Sequence, residues 1–369
     1  MPAGLLSAAL IVRNEESVLD ACLESLRGIV DETVVVDTGS TDRSPSIAKR
    51  HGARLLALPW SDDFSAARNH SLQYATSEWI LYIDADERLV GSSRGTVEQL
   101  LRGAREIAFR ILLRPHREMT PYLEYRLWRN DPRIRFEGSI HERVVPAIHR
   151  VARIEDRPIG DCHILLIDHV GYEGDQTRKH LRNLPMLERF VAEEPGHLFA
   201  QHHLAKVLDG VNRRDEAEQV LTRTIELIRS HELSDPVGVL AYASLIERLH
   251  ASGREFRALL SEARARYPDN CVLLWIEGRD LIGRGEYAAA LAVFERVLTV
   301  GAVPPAVGLP AYDRRLIGEE AYASKALCLF RLGRYAEAAD AYGEASRCAP
   351  DDATYELRRK LALSRCALQ

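Results

Sequence analysis

The sequence has few cysteines, and they are scattered along the chain. Its 369 residues include six, with no CxxC pair among them. This excludes a disulfide-stapled scaffold and the usual spacing of a cysteine-based metal site. A reducing cytoplasm suits such cysteines best, so we predict a cytoplasmic protein. A bridge between Cys348 and Cys366 is the alternative if the C-terminal helices bring the two together.

A surplus of positive charge and long apolar runs are also missing. The formal net charge is −5 and the pI is near 6.3, whereas nucleic-acid-binding proteins usually concentrate Lys and Arg on one face. No stretch approaches the roughly 20 apolar residues that a membrane-spanning helix needs. The apolar run within residues 1–12 lacks a basic leader and a cleavage site. We predict no nucleic-acid partner and no transmembrane segment, which leaves a small molecule, a peptide or a glycan.

The N-terminal half alternates short apolar runs with helical stretches. This alternation is typical of βαβ units around a mainly parallel sheet. We predict strands at 6–12, 33–36, 54–58 and 79–83, with helices at 17–26, 41–51 and 65–75. Beyond Asp86, strands with little helix between them are predicted at 107–113, 125–128, 140–145 and 163–169, which favours a mixed sheet. We assign residues 1–174 to this α/β domain.

The C-terminal half contains recurring helix pairs. In the clearest pair, within 321–350, the turn Gly333-Arg334-Tyr335 is followed at fixed offsets by Ala338, Tyr342, Ala345 and Pro350. These offsets resemble the tetratricopeptide (TPR) repeat, in which small residues let two helices pack closely. We predict a connecting helix over 175–197 and an all-α TPR-like repeat domain over 198–369. An irregular helical domain is the alternative.

The strongest chemical signal is the apolar strand 79–83, which leads into Asp84-Ala85-Asp86-Glu87. In open α/β sheets, ligands bind at the carboxyl ends of strands. Asp84 and Asp86 can project to the same side of an extended chain, and crowded carboxylates favour a hard divalent cation. Such an ion could hold a diphosphate and help it leave. A solvated acidic turn is the alternative.

Two other strand ends carry polar groups. The second strand leads into Asp37-Thr38-Gly39-Ser40-Thr41-Asp42, where Asp37 could bind a base or ribose and Gly39 lets a ligand approach the backbone. Capping of a helix by Ser40 or Thr41 is compatible with that role. The first strand leads into Arg13-Asn14-Glu15-Glu16. We therefore expect three strand ends to converge on one crevice.

Taken in order, these motifs resemble the inverting glycosyltransferases of family 2, which have the GT-A fold. The residues that carry the resemblance lie within 5–89 and include the segment Trp60–Asn69 beside the three strand ends. The resemblance implies a Rossmann-like mixed sheet, a nucleoside diphosphate sugar donor, commonly a UDP-sugar, and Mn²⁺ or Mg²⁺. With helical repeats after this domain, the architecture resembles the bacterial peptide S- and O-glycosyltransferases of the glycocin type.

The same resemblance implies roles for individual residues. Asp37 would contact the uracil, Arg68 the base or phosphates, Asp84 the ribose or sugar, and Asp86 the metal. The loop containing Asp63 would lie over the donor. The complete predicted donor-binding set is Arg13, Asn14, Glu15, Asp37, Ser40, Asp63, Arg68, Asp84 and Ala85.

The catalytic base and the second metal ligand are further expectations. The acceptor must lose its proton as it attacks, and we predict Glu142 as the base, with a surface glutamate as the alternative. The resemblance also implies that His169 binds the metal beside Asp86, because relatives of this fold often supply a second ligand at this position, and imidazole is an acceptable ligand for Mn²⁺. His141 as the ligand, or a structural role for His169, are the alternatives. The basic stretch around Arg126 is interpreted as an exposed strand face, with contact to the diphosphate as its alternative.

We predict a metal-dependent inverting glycosyltransferase that moves a sugar from a UDP-sugar to a Cys, Ser or Thr side chain. The repeats would recruit the peptide or protein acceptor, or would form a homodimer instead. One alternative acceptor is a cell-envelope glycan or a lipid-linked molecule. A hypothesis of another class is a non-catalytic nucleotide-sensing TPR scaffold.

Overall fold

The computed structural model describes residues 4–91, 93–140, 142–170, 177–230, 235–302 and 311–367. The chain divides into two compact units, the first comprising Met1–Arg117 and Pro121–Glu193 and the second Glu118–Thr120 and Glu194–Gln369. The predicted boundary at 174 lies outside the described residues. The helix at Thr177–Glu193, which we predicted as a connection, belongs to the first unit.

The first unit contains an eight-stranded mixed sheet in the order β3-β2-β1-β4-β7-β6-β8-β5. Neighbouring strands among the first four are parallel, and β7 pairs antiparallel with β4. The predicted GT-A-like α/β fold is confirmed. The strands are β1 Leu6–Val12, β2 Glu32–Asp37, β3 Arg54–Ala57, β4 Trp79–Tyr82, β5 Glu87–Val90, β6 Ala108–Arg114, β7 Tyr122–Arg129 and β8 Ile159–His169.

Within the described part of the first unit, six helices accompany the sheet, at α1 Leu19–Leu26, α2 Ser44–Arg50, α3 Phe64–Tyr74, α4 Arg94–Arg102, α5 Val145–Glu155 and α6 Thr177–Glu193. The predicted strand at 140–145 is wrong: among its described residues, Arg143 forms an isolated bridge with Glu137, and Val145 already begins a helix. Helix α5 begins at its end, with Pro146 in the first turn, where the missing N–H of proline costs nothing.

Packing on both faces of the sheet fixes the position of β1 and so of the residues that follow it. Strand β1 is buried over almost its whole length, as expected for a parallel strand covered on both faces. Leu6 and Leu10 pack with α1 in one apolar cluster, and Ala9 joins α5 residues in another. Alternate residues therefore fill opposite faces of the sheet, and a one-residue shift in register would disrupt both clusters.

The described part of the second unit contains nine α-helices. They are α7 Leu198–Gly210, α8 Arg214–Ser230, α9 Val239–Ala251, α10 Arg257–Arg266, α11 Cys271–Gly283, α12 Tyr287–Gly301, α13 Glu319–Arg331, α14 Tyr335–Cys348 and α15 Ala353–Cys366. The turns within the pairs use left-handed residues: φ is +69° at Gly253, +77° at Gly285 and +78° at Gly333. Glycine adopts this conformation without steric cost.

Small residues let the paired helices approach closely, as predicted. A Cβ atom added to Gly278 in α11 would lie 2.6 Å from the ring of Phe294 in α12. Phe294 is fully buried, and the TPR-like fold of this unit is confirmed.

Two of the expectations from composition can be compared with the structure. All six cysteines are free, so Cys348 and Cys366 are not bridged. Among the helices of the described residues, none combines the length and apolar character needed to cross a membrane.

Candidate active site

The parallel register brings the three predicted strand ends together. Val12 at the end of β1 aligns with Asp37 at the end of β2, and Ala9 aligns with Tyr82 at the end of β4. Just beyond these ends, the Thr38 N–H donates to the Val12 carbonyl over 3.0 Å. The predicted convergence of polar strand ends is confirmed.

Hydrogen bonds join the loops that follow β1 and β2. Asn14 adopts a left-handed conformation with φ of +58°; its N–H donates to Ser40 Oγ over 3.0 Å, and its Oδ1 accepts from the Thr41 N–H over 2.8 Å. Asp37 accepts a bond from the Ser40 N–H over 3.1 Å. Asn14, Asp37 and Ser40 therefore shape the loops in this structure. Neither Ser40 nor Thr41 caps α2, since Asp42 accepts from the N–H of Ser44, where that helix begins.

A cavity of about 210 Å³ opens at this edge of the sheet. Seven of the predicted site residues line it, namely Arg13, Glu15, Arg68, Asp84, Ala85, Asp86 and His169. Sequence reasoning missed the contribution of Arg182, which lines it together with Trp60 and Phe64. A wider groove of about 900 Å³ includes Glu32 and Arg54, where β2 and β3 begin. It contains none of the predicted residues, so the smaller cavity is the chemical candidate.

The two predicted metal ligands meet through strand pairing. Glu87 of β5 pairs with His169 of β8, and Asp86 directly precedes Glu87. The Val170 N–H donates to the Asp86 carbonyl over 2.8 Å. As a result, Asp86 Oδ2 and His169 Nε2 are 3.5 Å apart.

The chemistry of this pair fits one divalent cation. Carboxylate oxygen and imidazole nitrogen are both ligands of Mn²⁺, and their spacing lets one ion contact both. Groups of three or more candidate ligand side chains do not occur within the described ranges. The alternative ligand His141 lies outside the described residues.

Arg68 joins two carboxylates beside the cavity. Its Nη1 donates to Asp84 Oδ1 over 2.9 Å, and its Nε donates to Glu142 Oε1 over 2.5 Å. Burial favours the neutral form of Asp84, but Arg68 and Arg126 outweigh it and lower the pKa of Asp84 to about 2. The Glu142 side chain is only 12% exposed. The structure therefore places Glu142 beside Asp84 and does not make it a surface glutamate.

Glu87 and Arg126 differ from their predicted environments. Glu87 is fully buried and does not line the cavity with Asp84 and Asp86. Its two oxygens accept bonds from Nη2 and Nη1 of Arg126 over 2.9 and 3.2 Å. Arg126 is 5% exposed, so the interpretation of this arginine as part of an exposed strand face is wrong. Burial raises the pKa of Glu87, although Arg126 opposes the shift.

The segment before α3 forms one wall of the cavity. Asp63 does not line it, because its carboxylate caps α3 by accepting from the Ala66 N–H over 2.9 Å. Trp60 and Phe64 contact each other edge to face, with ring centroids 4.7 Å apart. The guanidinium carbon of Arg182 lies 5.8 Å from the Phe64 ring centroid. An aromatic wall therefore adjoins a cationic group here.

Bonds from α3 also hold the segment that carries Glu142. The Phe64 N–H donates to the Ser139 carbonyl over 2.9 Å, and Ser65 Oγ donates to the Gly138 carbonyl over 2.5 Å. Asn69 donates to the Phe136 carbonyl and accepts from its N–H. The position of Glu142 is thus set by α3, which also carries Arg68.

Comparison with known proteins agrees with this geometry. Residues 7–129 match the family described as Glycosyl transferase family 2. This range contains the three strand ends, Arg68 and the Asp84–Asp86 turn. The N-terminal part of the chain is therefore a glycosyltransferase domain of family 2.

Several curated relatives each match a part of the chain. A TPR repeat-containing protein of Synechococcus elongatus is 39% identical over 199 residues, which cover 51% of this chain and 48% of that protein. The prophage-derived glycosyltransferase SunS of Bacillus subtilis is 28% identical over 229 residues, covering 60% and 53%. The lipopolysaccharide core biosynthesis glycosyltransferase LpsC of Rhizobium meliloti is 34% identical over 122 residues, covering 31% and 44%. The chain spans about half the length of these relatives.

Proposed function

We propose that this chain is a metal-dependent inverting glycosyltransferase that moves a sugar from a UDP-sugar to a Cys, Ser or Thr side chain of a peptide or protein. The observation that carries the donor half is that one cavity is lined by Asp84 and Asp86, from the segment that matches family 2, together with His169. The acceptor half is supported by the resemblance to peptide glycosyltransferases with helical repeats. Repeats of this type present extended surfaces suited to peptides.

Asp86 and His169 would hold Mn²⁺ or Mg²⁺ through Oδ2 and Nε2. The ion would neutralise charge on the donor diphosphate and so favour its departure. Three arginines line the cavity. We assign Arg13 and Arg182 to phosphate oxygens, because guanidinium groups bind phosphate through paired hydrogen bonds. We assign Nη2 of Arg68 to the donor as well.

The loops around Asn14, Glu15, Asp37 and Ser40 are proposed to receive the base and ribose. Their mutual hydrogen bonds fix the loop backbones before a ligand arrives. A preformed loop loses less conformational freedom when it binds. Asp63 would act through its cap on α3, which sets the start of the helix that carries Arg68.

In the proposed transfer, the acceptor sulfur or oxygen attacks the anomeric carbon. The bond from that carbon to the β-phosphate oxygen breaks, and its electron pair stays on the departing UDP. Glu142 takes the acceptor proton on Oε2, while Oε1 remains bonded to Arg68. Because Arg68 also holds Asp84, the base keeps a fixed distance from the donor side of the site.

The test combines purified chain, Mn²⁺, a set of UDP-sugars and peptides that contain Cys, Ser or Thr. We expect one peptide class to gain the mass of a single sugar, with loss of the gain in EDTA and in Asp86→Ala. Fragmentation of the modified peptide identifies the acceptor atom. Metal-independent transfer would contradict the assignment of Asp86 and His169, and an absence of transfer to all peptides would contradict the peptide acceptor.

A cell-envelope glycan or lipid-linked acceptor is the second candidate. The resemblance of 122 residues to the lipopolysaccharide core glycosyltransferase favours it. The donor assignments stay the same, so the same reaction with glycan or lipid-linked acceptors decides between the two. UDP binding without transfer to any acceptor would instead support a nucleotide-sensing scaffold. A cytoplasmic location and a homodimer through the repeats stay predictions.

A further inference from the structure

The turn that carries Asp84 and Asp86 is closed by Glu87. The Glu87 N–H donates to the Asp84 carbonyl over 3.0 Å, and Glu87 Oε2 accepts from the Asp84 N–H over 2.8 Å. Main chain and side chain of one residue thus bind both polar groups of the Asp84 backbone. Where Asp84 and Asp86 point depends on the position of the Glu87 carboxylate.

Arg126 fixes that carboxylate from the neighbouring part of the sheet. It binds both Glu87 oxygens, and its Nε donates to Glu124 over 3.1 Å. Its Nη1 lies 3.9 Å from Asp84 Oδ2. Its guanidinium carbon is 4.3 Å from the Tyr82 ring centroid, and the guanidinium carbon of Arg68 is at the same distance. Arg126 therefore has little freedom to move without displacing the turn.

The energetics argue against a purely stabilising role. Taking a charged pair out of water costs much of what its attraction returns, and apolar replacement of a buried pair is often neutral or favourable for stability. Glu87 and Arg126 are both almost fully buried, so their contribution is better sought in geometry. The hydroxyl of Tyr82, whose ring contacts both Arg68 and Arg126, also donates to Asp84 over 3.0 Å.

We propose that Glu87 and Arg126 are positioning residues, which hold the Asp84–Asp86 turn in the shape that binds the metal and the donor. This deepens the proposed function and rests on it. Neither residue lines the cavity. Both act through the turn, as partners of ligand residues do when they orient the groups that contact a metal.

The control lies three residues further along, at the last residue of β7. Arg129 donates to Glu78 over 2.6 Å, and its guanidinium carbon is 4.4 Å from the ring of Trp79. This arrangement repeats the pairing and stacking of Arg126 at a more exposed place, with the Glu78 side chain 43% exposed, and it adjoins the beginning of β4. The double variants are Glu87→Met with Arg126→Met and, as control, Glu78→Met with Arg129→Met.

The experiment measures UDP binding by calorimetry across a range of Mn²⁺ concentrations, with denaturation of each variant in parallel. We expect the first double variant to need about 10- to 100-fold more Mn²⁺ and the control to match wild type. Glu87→Gln, which keeps an oxygen for the Asp84 N–H, should shift the requirement in the same direction by less. It decides the question if the double variant does not fold.

The outcomes separate this inference from the function on which it rests. Unchanged Mn²⁺ dependence in Glu87→Gln and the double variant would overturn the positioning role while leaving the glycosyltransferase proposal intact. An equal shift in the control would also overturn it, since the effect would then belong to the sheet as a whole. Wild-type chain without Mn²⁺-dependent UDP binding would overturn the proposed function and this inference with it.

Discussion

One arginine–carboxylate pair from each unit shows how different the environments of the same chemical groups can be. In the first unit, the side chains of Arg68 and Glu142 are 9% and 12% exposed. In the second, Arg229 and Glu262 join α8 to α10 with side chains 48% and 33% exposed. The same chemistry thus fixes the geometry of a site in one unit and joins solvated helices in the other. Burial, and not the type of residue, decides what each pair contributes.

The largest effect is expected at the buried pair, Arg68 and Glu142. Glu142→Gln keeps an oxygen for Arg68 but cannot take up the acceptor proton. Transfer should fall by about 10²- to 10⁴-fold, while Mn²⁺-dependent UDP binding is retained. Initial rates of product formation and calorimetric titration measure the two. Undiminished transfer would remove Glu142 from the mechanism, and lost UDP binding would assign it to the donor.

Replacing one arginine in each unit tests directly whether burial sets the contribution of a pair to stability. Arg68→Met leaves the carboxylates of Asp84 and Glu142 without their shared cation, which should cost about 3–5 kcal/mol in the free energy of unfolding. Arg229→Met, the matched change at a solvated pair, should cost less than about 1 kcal/mol. Hydrogen exchange of peptides from α3 and α8, read by mass spectrometry, reports each loss locally. Losses of equal size would show that burial does not set the energetics.

The second unit also contains a partly buried titratable group, which sharpens the contrast. Burial, and to a lesser degree Lys206, lowers the pKa of His202 to about 4, while its Nε2 lies 3.2 Å from Ser244 Oγ. The unfolded chain takes up this proton near pH 6.5 and the folded chain only near pH 4. Stability is therefore fully present above pH 6.5 and falls by up to about 3 kcal/mol as the pH drops toward 4.

The measurement for His202 is the pH dependence of hydrogen exchange in α7 and α9. His202→Gln, which cannot titrate, should flatten the acid slope in these helices. An identical slope in both proteins would assign the acid sensitivity to other groups.

The smallest effect concerns packing without charge. Gly278→Ala should destabilise the second unit by about 1–3 kcal/mol, because the added methyl group would overlap the ring of Phe294. Gly283→Ala, in the same helix with open space around it, should stabilise by about 0.4–1 kcal/mol. Hydrogen exchange of peptides from α11 and α12 compares the two. Effects of the same sign would contradict the packing explanation of the repeat.

Strands β1 to β4 were predictable from the sequence because their apolar runs are short, separated and bounded by turn residues. The convergence of their ends followed from parallel pairing, and so did the cavity position of Asp84 and Asp86. The error at 140–145 has a local cause. Val144, Val145 and Ile140 favour a strand by composition, but Pro146 suits the first turn of a helix.

The buried environments of Glu87 and Arg126 were not predictable from local pattern. A charged residue is normally solvated, and only a partner distant in the chain makes its burial acceptable. Arg182 was missed for a related reason, since the cavity lining comes from a helix that follows the whole sheet. The amphipathic pattern of α6 contained no sign of a ligand. Asp86 and His169 do not form a short metal-ligand motif, so their pairing was predicted from the family resemblance and not from spacing.

The meeting of Asp86 and His169 depends on β5 and β8, and β8 is the last strand of the sheet to be made. A ribosome releases Asp86 long before it releases His169. Pairing between segments so distant in sequence must wait for both and carries the entropy of closing the chain between them. The Asp84–Asp86 turn can be shaped by its neighbours early in synthesis, whereas the imidazole arrives only with the final strand. In the proposed function, the pair that would hold the metal is therefore complete only after β8 has been synthesised and has paired with β5.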